Sequence, residues 1–182
     1  MIYDVWWIAP EQNNPEPDGI FFLSWSAESR GIAIATYAAQ HMMAHRPFDN
    51  RTIQLLVVED SEDILYIMKT ELEWMGYVVH GARDGNTALE LAKQHRPDVV
   101  ISDIQMPGID GFELVRRIRS TKELAKVPAI ALTGFGMEED VKRALERGFT
   151  AHMTKPVEPD KLSDMIEKLI ARAVRAGFRP AA

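Results

Sequence analysis

From Arg51 onward the chain repeats one pattern five times: a short apolar run, then a stretch with helical spacing. Ile53 to Val58, "IQLLVV", is apolar and partly β-branched, as a strand buried on both faces must be. Ile64, Met68, Leu72 and Met75 follow at three- and four-residue intervals, and Gly76 ends that helix. Tyr77 to His80 reads as the second strand, and Asp84 to His95 as the second helix, with Ala88, Leu91 and Ala92 inward. Asp98 to Ser102 is the third strand. Asp110 and Glu113 form a capping box for the third helix, whose core face is Leu114, Val115 and Ile118. Val127 to Leu132 is the fourth strand. A helix from near Met137 to Gly148 starts with three acids, which suits its dipole. Phe149 to Met153 is the fifth strand. The last helix runs from Pro159 to about Ala176, with Leu162, Met165, Ile166, Leu169, Ile170 and Ala173 as its stripe.

Alternating βα units imply a parallel sheet covered by helices on both faces. With right-handed crossovers, the expected class is α/β, a doubly wound (βα)5 sheet of strand order 2-1-3-4-5. Functional groups in such sheets gather at the carboxyl ends of the strands. The first strand ends in Glu59 and Asp60, the third in Asp103 and the fourth in Thr133, and the fifth is followed by Lys155 and Pro156. The second contributes nothing ionisable on this reading. Taken singly, Asp60 is an ordinary helix cap, Thr133 an ordinary turn residue and Lys155-Pro156 an ordinary helix boundary. Together they put three carboxylates, a hydroxyl and an ammonium on one edge.

Crowded carboxylates repel unless a cation intervenes. Mg²⁺ is the economical one, because it takes oxygen ligands and is content with one or two carboxylates and several waters. A divalent cation, an ammonium and a hydroxyl suit the oxygens of a phosphoryl group, and Asp103, on the central strand, is the natural nucleophile for an acyl phosphate. The chain has no cysteine, so disulfides, thiol catalysis and cysteine-held zinc are excluded. Acids outnumber bases by 27 to 21, which disfavours non-specific nucleic-acid binding. No apolar stretch is long enough to span a bilayer, and the start lacks a signal-peptide pattern, so a cytoplasmic protein without membrane partners is expected.

The stretches "VVEDSED", "ISDIQMPGIDGFEL", "ALTG" and "HMTKP" resemble response regulator receiver domains of two-component phosphorelays, over roughly residues 52–176. The intervals of 30 residues from Asp103 to Thr133 and 22 from Thr133 to Lys155 match the chemotaxis-type regulators. The resemblance implies a flavodoxin-like fold. It implies that Asp103 accepts a phosphoryl group from a phosphohistidine on a histidine kinase or histidine phosphotransfer protein. It implies Mg²⁺ held by Asp60, Asp103 and the Gln105 backbone carbonyl, with Glu59 acting through water. Lys155 would pair with phosphoryl oxygens, the Thr133 hydroxyl would swing toward them, and the Lys155-Pro156 bond would be cis. His152 stands where the family has its switch aromatic, usually Tyr or Phe, and its protonation would make switching pH-sensitive. Gln105 and Phe135 would tune dephosphorylation. Output would be a changed protein-binding surface on the fourth helix, fifth strand and fifth helix, read through Met137, Val141, Ala144 and His152. Two other roles stay open: a phosphorylation-independent interaction module, or the receiver part of a hybrid histidine kinase. A dehalogenase-type phosphatase would want an acid at position 105, where Gln stands.

Residues 1–51 form an extension of mixed character, rich in Pro and Asn at "PEQNNPEPDG" and with Trp6, Trp7, Phe21, Phe22 and Trp25. A poorly ordered tail, a packing or homodimerisation arm and a partner-recruiting segment are all compatible with it. Residues 177–182 are a short tail that holds no output domain, so direct DNA binding is not expected.

Overall fold

The computed structural model describes residues 52–134 and 138–178. Expectations for residues 1–51, Phe135 and Met137 lie outside the described residues. In chain order the elements are β1 (Gln54–Val58), α1 (Glu62–Trp74), β2 (Val78–Ala82), α2 (Gly85–His95), β3 (Val99–Asp103), α3 (Gly111–Ser120), β4 (Ala129–Thr133), α4 (Glu138–Glu146), β5 (Ala151–Thr154) and α5 (Pro159–Arg175). All strand pairs are parallel, in the order β2-β1-β3-β4-β5. The fold is the flavodoxin-like, doubly wound α/β sheet that the repeat predicts.

Each apolar strand feeds two cores because successive side chains point to opposite faces. Leu55 and Val57 of β1, Val99 and Ile101 of β3, and Ile130 and Leu132 of β4 pack with Met68 and Leu72 of α1 and Leu162, Ile166 and Ile170 of α5. Leu56, Val58, Val100, Ala129 and Ala131 face the other way, against Ala88 and Ala92 of α2, Leu114 and Ile118 of α3, and Ala144 of α4. β4 is therefore large on one face and small on the other. Helix starts follow the sequence: the Ser61, Asp84 and Asp110 side chains accept from the first free N–H groups of α1, α2 and α3. Pro159 opens α5.

The structure corrects several boundaries and faces. β2 begins one residue late and continues to Ala82, so it does deliver ionisable groups, Arg83 and Asp84, to the functional edge. Asp103 and Thr133 lie inside their strands, because the sheet ladder runs one residue further than the apolar run. Asp98, by contrast, precedes β3, where its buried carboxylate accepts the Gln54 N–H at 2.8 Å. Phe149 also precedes its strand. Ile64 is exposed and Met75 half-buried, since the inward stripe of α1 is centred on Met68 and Leu72. Ala144 is fully buried, so it cannot be a surface reader. The capping box is half made: Asp110 accepts the Glu113 N–H at 2.7 Å, but the Glu113 carboxylate is taken by Arg116 and Arg117.

Two tight features hold the helices to the sheet. A Cβ on Gly111 would lie 2.4 Å from the Asp103 carbonyl oxygen and 2.8 Å from the Ile104 Cα, so α3 starts flush against the end of β3. Arg119, near the end of α3, donates to the carbonyls of Gly148 at 2.9 Å, Val127 at 2.7 Å and Ala125 at 3.2 Å. It ties the connections before β4 and β5 together without a carboxylate. Gly111→Ala should cost about 2 kcal/mol or more by forcing backbone apart. Arg119→Met should cost about 2–4 kcal/mol by leaving those carbonyls short of donors. Urea melts of the two variants check both values, and wild-type midpoints would contradict these roles.

Candidate functional site

The carboxyl edge of the sheet assembles residues that are far apart in sequence. The backbone ladder fixes each of them: the Glu59 N–H donates to the Ala82 carbonyl at 3.0 Å, Ile104 to Leu132 at 3.2 Å and Lys155 to Thr133 at 2.8 Å. Glu59 is 1% exposed and Asp103 7%, and Asp60 is half-buried beside them. One carboxylate oxygen from each of the three lies within 4.8 Å of the others. The Lys155 ammonium, directly after β5, reaches across to donate to Glu59 at 2.6 Å and Asp103 at 2.8 Å. The other Asp103 oxygen accepts the Gln105 N–H at 3.1 Å. Thr133 is buried at the end of β4, Gln105 is exposed, and His152 is half-buried in β5 opposite Ala131. The Lys155-Pro156 peptide bond is cis.

The turn after Asp103 has a local cause. Gly108 sits at φ +78°, a conformation other residues adopt at a cost, so the chain can double back to Asp110. The Gly111 N–H then donates to the Ile104 carbonyl at 3.0 Å, closing the loop. Asp103 is thus held from the sheet side by the ladder and from the helix side by Gly111. Sequence reasoning did not single out Gly111. Its signal was there as the small residue directly after a helix cap. Arg83 was missed for a different reason: the strand before it runs two residues longer than its apolar pattern. Its guanidinium donates to Glu62 at 2.9 Å and to the Asp60 carbonyl at 3.4 Å, on the rim of the acidic cluster.

The electrostatics are those of a site short of positive charge. Burial is the main cause that lifts the Glu59 carboxyl above its ordinary range; Lys155 pulls it back down, and Asp103 and Asp60 push it up again. For Lys155, burial pulls down, but its hydrogen bonds to Asp103 and Glu59 prevail and the ammonium is held above its ordinary range. Three hard oxygen donors around a narrow, partly buried space, with one ammonium among them, fit Mg²⁺ by donor chemistry and by charge. A raised carboxyl pKa means that the folded chain binds this proton more readily than the unfolded chain. The associated stability is complete in acid and is lost as pH rises through the folded value. At neutral pH an ionised, buried Glu59 is therefore a net cost to the metal-free fold. Glu59→Gln should melt about 1 kcal/mol more stable than wild type at pH 7 in chelator, with the difference shrinking in acid. If Glu59→Gln proves less stable than wild type at both pH values, this reading is contradicted.

The comparisons with known proteins agree with the geometry. The response regulator receiver domain family matches residues 55–167. The polar-differentiation response regulator DivK of Brucella anthropi is 33% identical over 119 residues, covering 65% of this chain and 97% of its own. Among solved structures, the chemotaxis response regulator CheY4 of Vibrio cholerae superposes with a TM-score of 0.62 at 32% identity, over 65% of this chain and 99% of its own. The receiver domain of the sensor histidine kinase PA1611 of Pseudomonas aeruginosa gives a TM-score of 0.62 at 28% identity, over 66% and 99%; its structure has a magnesium ion coordinated in the active site cleft. With its family matched over most of the chain and its fold and edge chemistry in accord, this protein belongs to the response regulator receiver domain family.

Proposed function

We propose that residues 52–176 form a phosphoacceptor receiver in a two-component phosphorelay, with 1–51 as an extension and 177–182 as a tail. The observation that carries this reading is the Lys155 ammonium bridging Glu59 and Asp103 inside a three-carboxylate cluster. A carboxylate oxygen of Asp103 attacks the phosphorus of a phosphohistidine. A P–O bond forms to Asp103, the P–N bond breaks, and the imidazole leaves with the electron pair. Lys155 can exchange its carboxylate contacts for the arriving phosphoryl oxygens, and the Thr133 hydroxyl supplies a further donor from the neighbouring strand. Asp60, Asp103 and the Gln105 carbonyl would hold Mg²⁺, with Glu59 reaching it through water; the ion would screen the charge on the phosphoryl oxygens. The related PA1611 receiver supports that ion, since its own cleft holds magnesium.

The donor would be a histidine kinase or a histidine phosphotransfer protein. Its phosphohistidine must approach the edge where Asp103 lies, and α1 starts at that edge with Ile64 and Ile67 exposed beside it. Those side chains give the donor an apolar footing. Phosphorylation would then shift the face formed by α4, β5 and α5, with Val141 and His152 as partly exposed readers and downstream proteins as the recipients. His152, half-buried in β5, would stand at the switch position of that face. Gln105 and Phe135 would tune the lifetime of the acyl phosphate. The chain would act as a signalling protein with slow autodephosphorylation rather than as a turnover enzyme. A cytoplasmic location goes with this role, and no described helix is long and apolar enough to cross a membrane. The complete set of acids, Thr133 and Lys155 speaks against a phosphorylation-independent module.

Acetyl phosphate with Mg²⁺ should add one phosphoryl group to the wild-type chain, measured by intact-protein mass spectrometry. Asp103→Asn, or chelation of the wild type, should abolish the adduct. An adduct retained in Asp103→Asn would sink the assignment. Transfer in Thr133→Ala should still occur, but without the change in the α4-β5-α5 face that amide exchange reports in the wild type.

A further inference from the structure

We infer that the α3–α4 face is a docking surface for an acidic segment of a partner protein. Arg143 and Arg147, one turn apart on α4 and its end, both lie over the ring of Phe112 on α3, with guanidinium carbons 5.4 and 5.7 Å from its centroid. Arg116 stands one turn beyond Phe112 on α3, with Arg117 next to it. All four arginines are exposed, and Phe112 is half-buried, braced edge-on by Phe149 at 6.3 Å. Arg116 and Arg117 share a single carboxylate, Glu113. Among the described residues, Arg143 and Arg147 have no ion-pair partner. This is a concentrated positive surface on a chain in which acids outnumber bases.

The shared ring matters as well as the charge. A guanidinium held over a ring by cation–π attraction still has N–H groups to offer a carboxylate, and its fork can take one bidentately. The ring also limits the motion of both side chains, so less freedom is lost when a ligand is forked. Arginine fits this use and lysine does not. A nucleic-acid backbone is the poorer occupant. It needs a continuous positive track, whereas here Glu139 and Asp140 open the same helix that carries Arg143 and Arg147. A short run of Asp or Glu side chains needs only the patch itself. The surface is independent of the phosphoacceptor reading, so the two can fail separately.

The test uses the full chain and a fluorescein-labelled octaglutamate peptide at low ionic strength, followed by anisotropy. Wild type should bind, with amide shift changes concentrated at residues 111–117 and 141–149. The double variant Arg143→Gln, Arg147→Gln should weaken binding by about tenfold or more, while its circular-dichroism melt shows that it folds. Arg143→Lys with Arg147→Lys keeps the charge and should recover only part of the affinity. Equal binding by the Gln variant, or full recovery by the Lys variant, would overturn the proposal. So would a single-stranded oligonucleotide that binds this face more tightly than the peptide and displaces it.

Discussion

The ammonium of Lys155 is the contact on which the functional edge depends. It is 2.6 Å from Glu59 and 2.8 Å from Asp103, and without it two buried carboxylates would face each other with Asp60 alongside. Such a cluster is unstable on its own, because burial and mutual repulsion both oppose ionisation. The lysine makes it tolerable and leaves it short of positive charge. That deficit is what suits the edge, by charge and by donor type, to a divalent cation. The site is held at a cost in stability by a scaffold rigid enough to bear it.

The rigidity comes from burial on both sides of the sheet. β1, β3 and β4 alternate between two cores, so each residue of those strands is fixed by a helix layer as well as by its neighbours in the ladder. β4 shows how the two layers are matched. Its alanines face α3 and α4, and its isoleucine and leucine face the α5 side. Asp103 and Thr133 extend strands that are already immobilised, and strand-borne groups keep their positions better than loop-borne ones.

Backbone contacts do the rest. Gly111 lets α3 start against the carbonyl of the phosphoacceptor candidate itself, and Arg119 joins the far end of α3 to the connections before β4 and β5. α3 is therefore pinned at both ends. α4 adds Arg143 and Arg147 over the Phe112 ring, and its buried Ala144 joins the core that holds Leu114, Val115 and Ile118 of α3.

The sequence alone determined the fold class, the strand order and the identity of the edge residues. Runs buried on both faces and helices with a stripe leave a periodic trace, and the family motifs fall at fixed intervals within it. It also located the cap at Asp110, because capping is local chemistry, whereas Asp84, read as the first residue of its helix, is the cap before it. Only the tertiary structure decided which strand delivers what. The ladder carried β2 on to Ala82, which brings Arg83 to the edge, and took Asp103 and Thr133 into their strands, since pairing with a neighbour continues after the apolar pattern has ended. It also decided that Ala144 is core and Ile64 surface, that Glu113 serves two arginines, and that Lys155 bridges Glu59 and Asp103. These are contacts between distant or alternative partners, and spacing along a chain does not say which of several reachable partners a side chain takes.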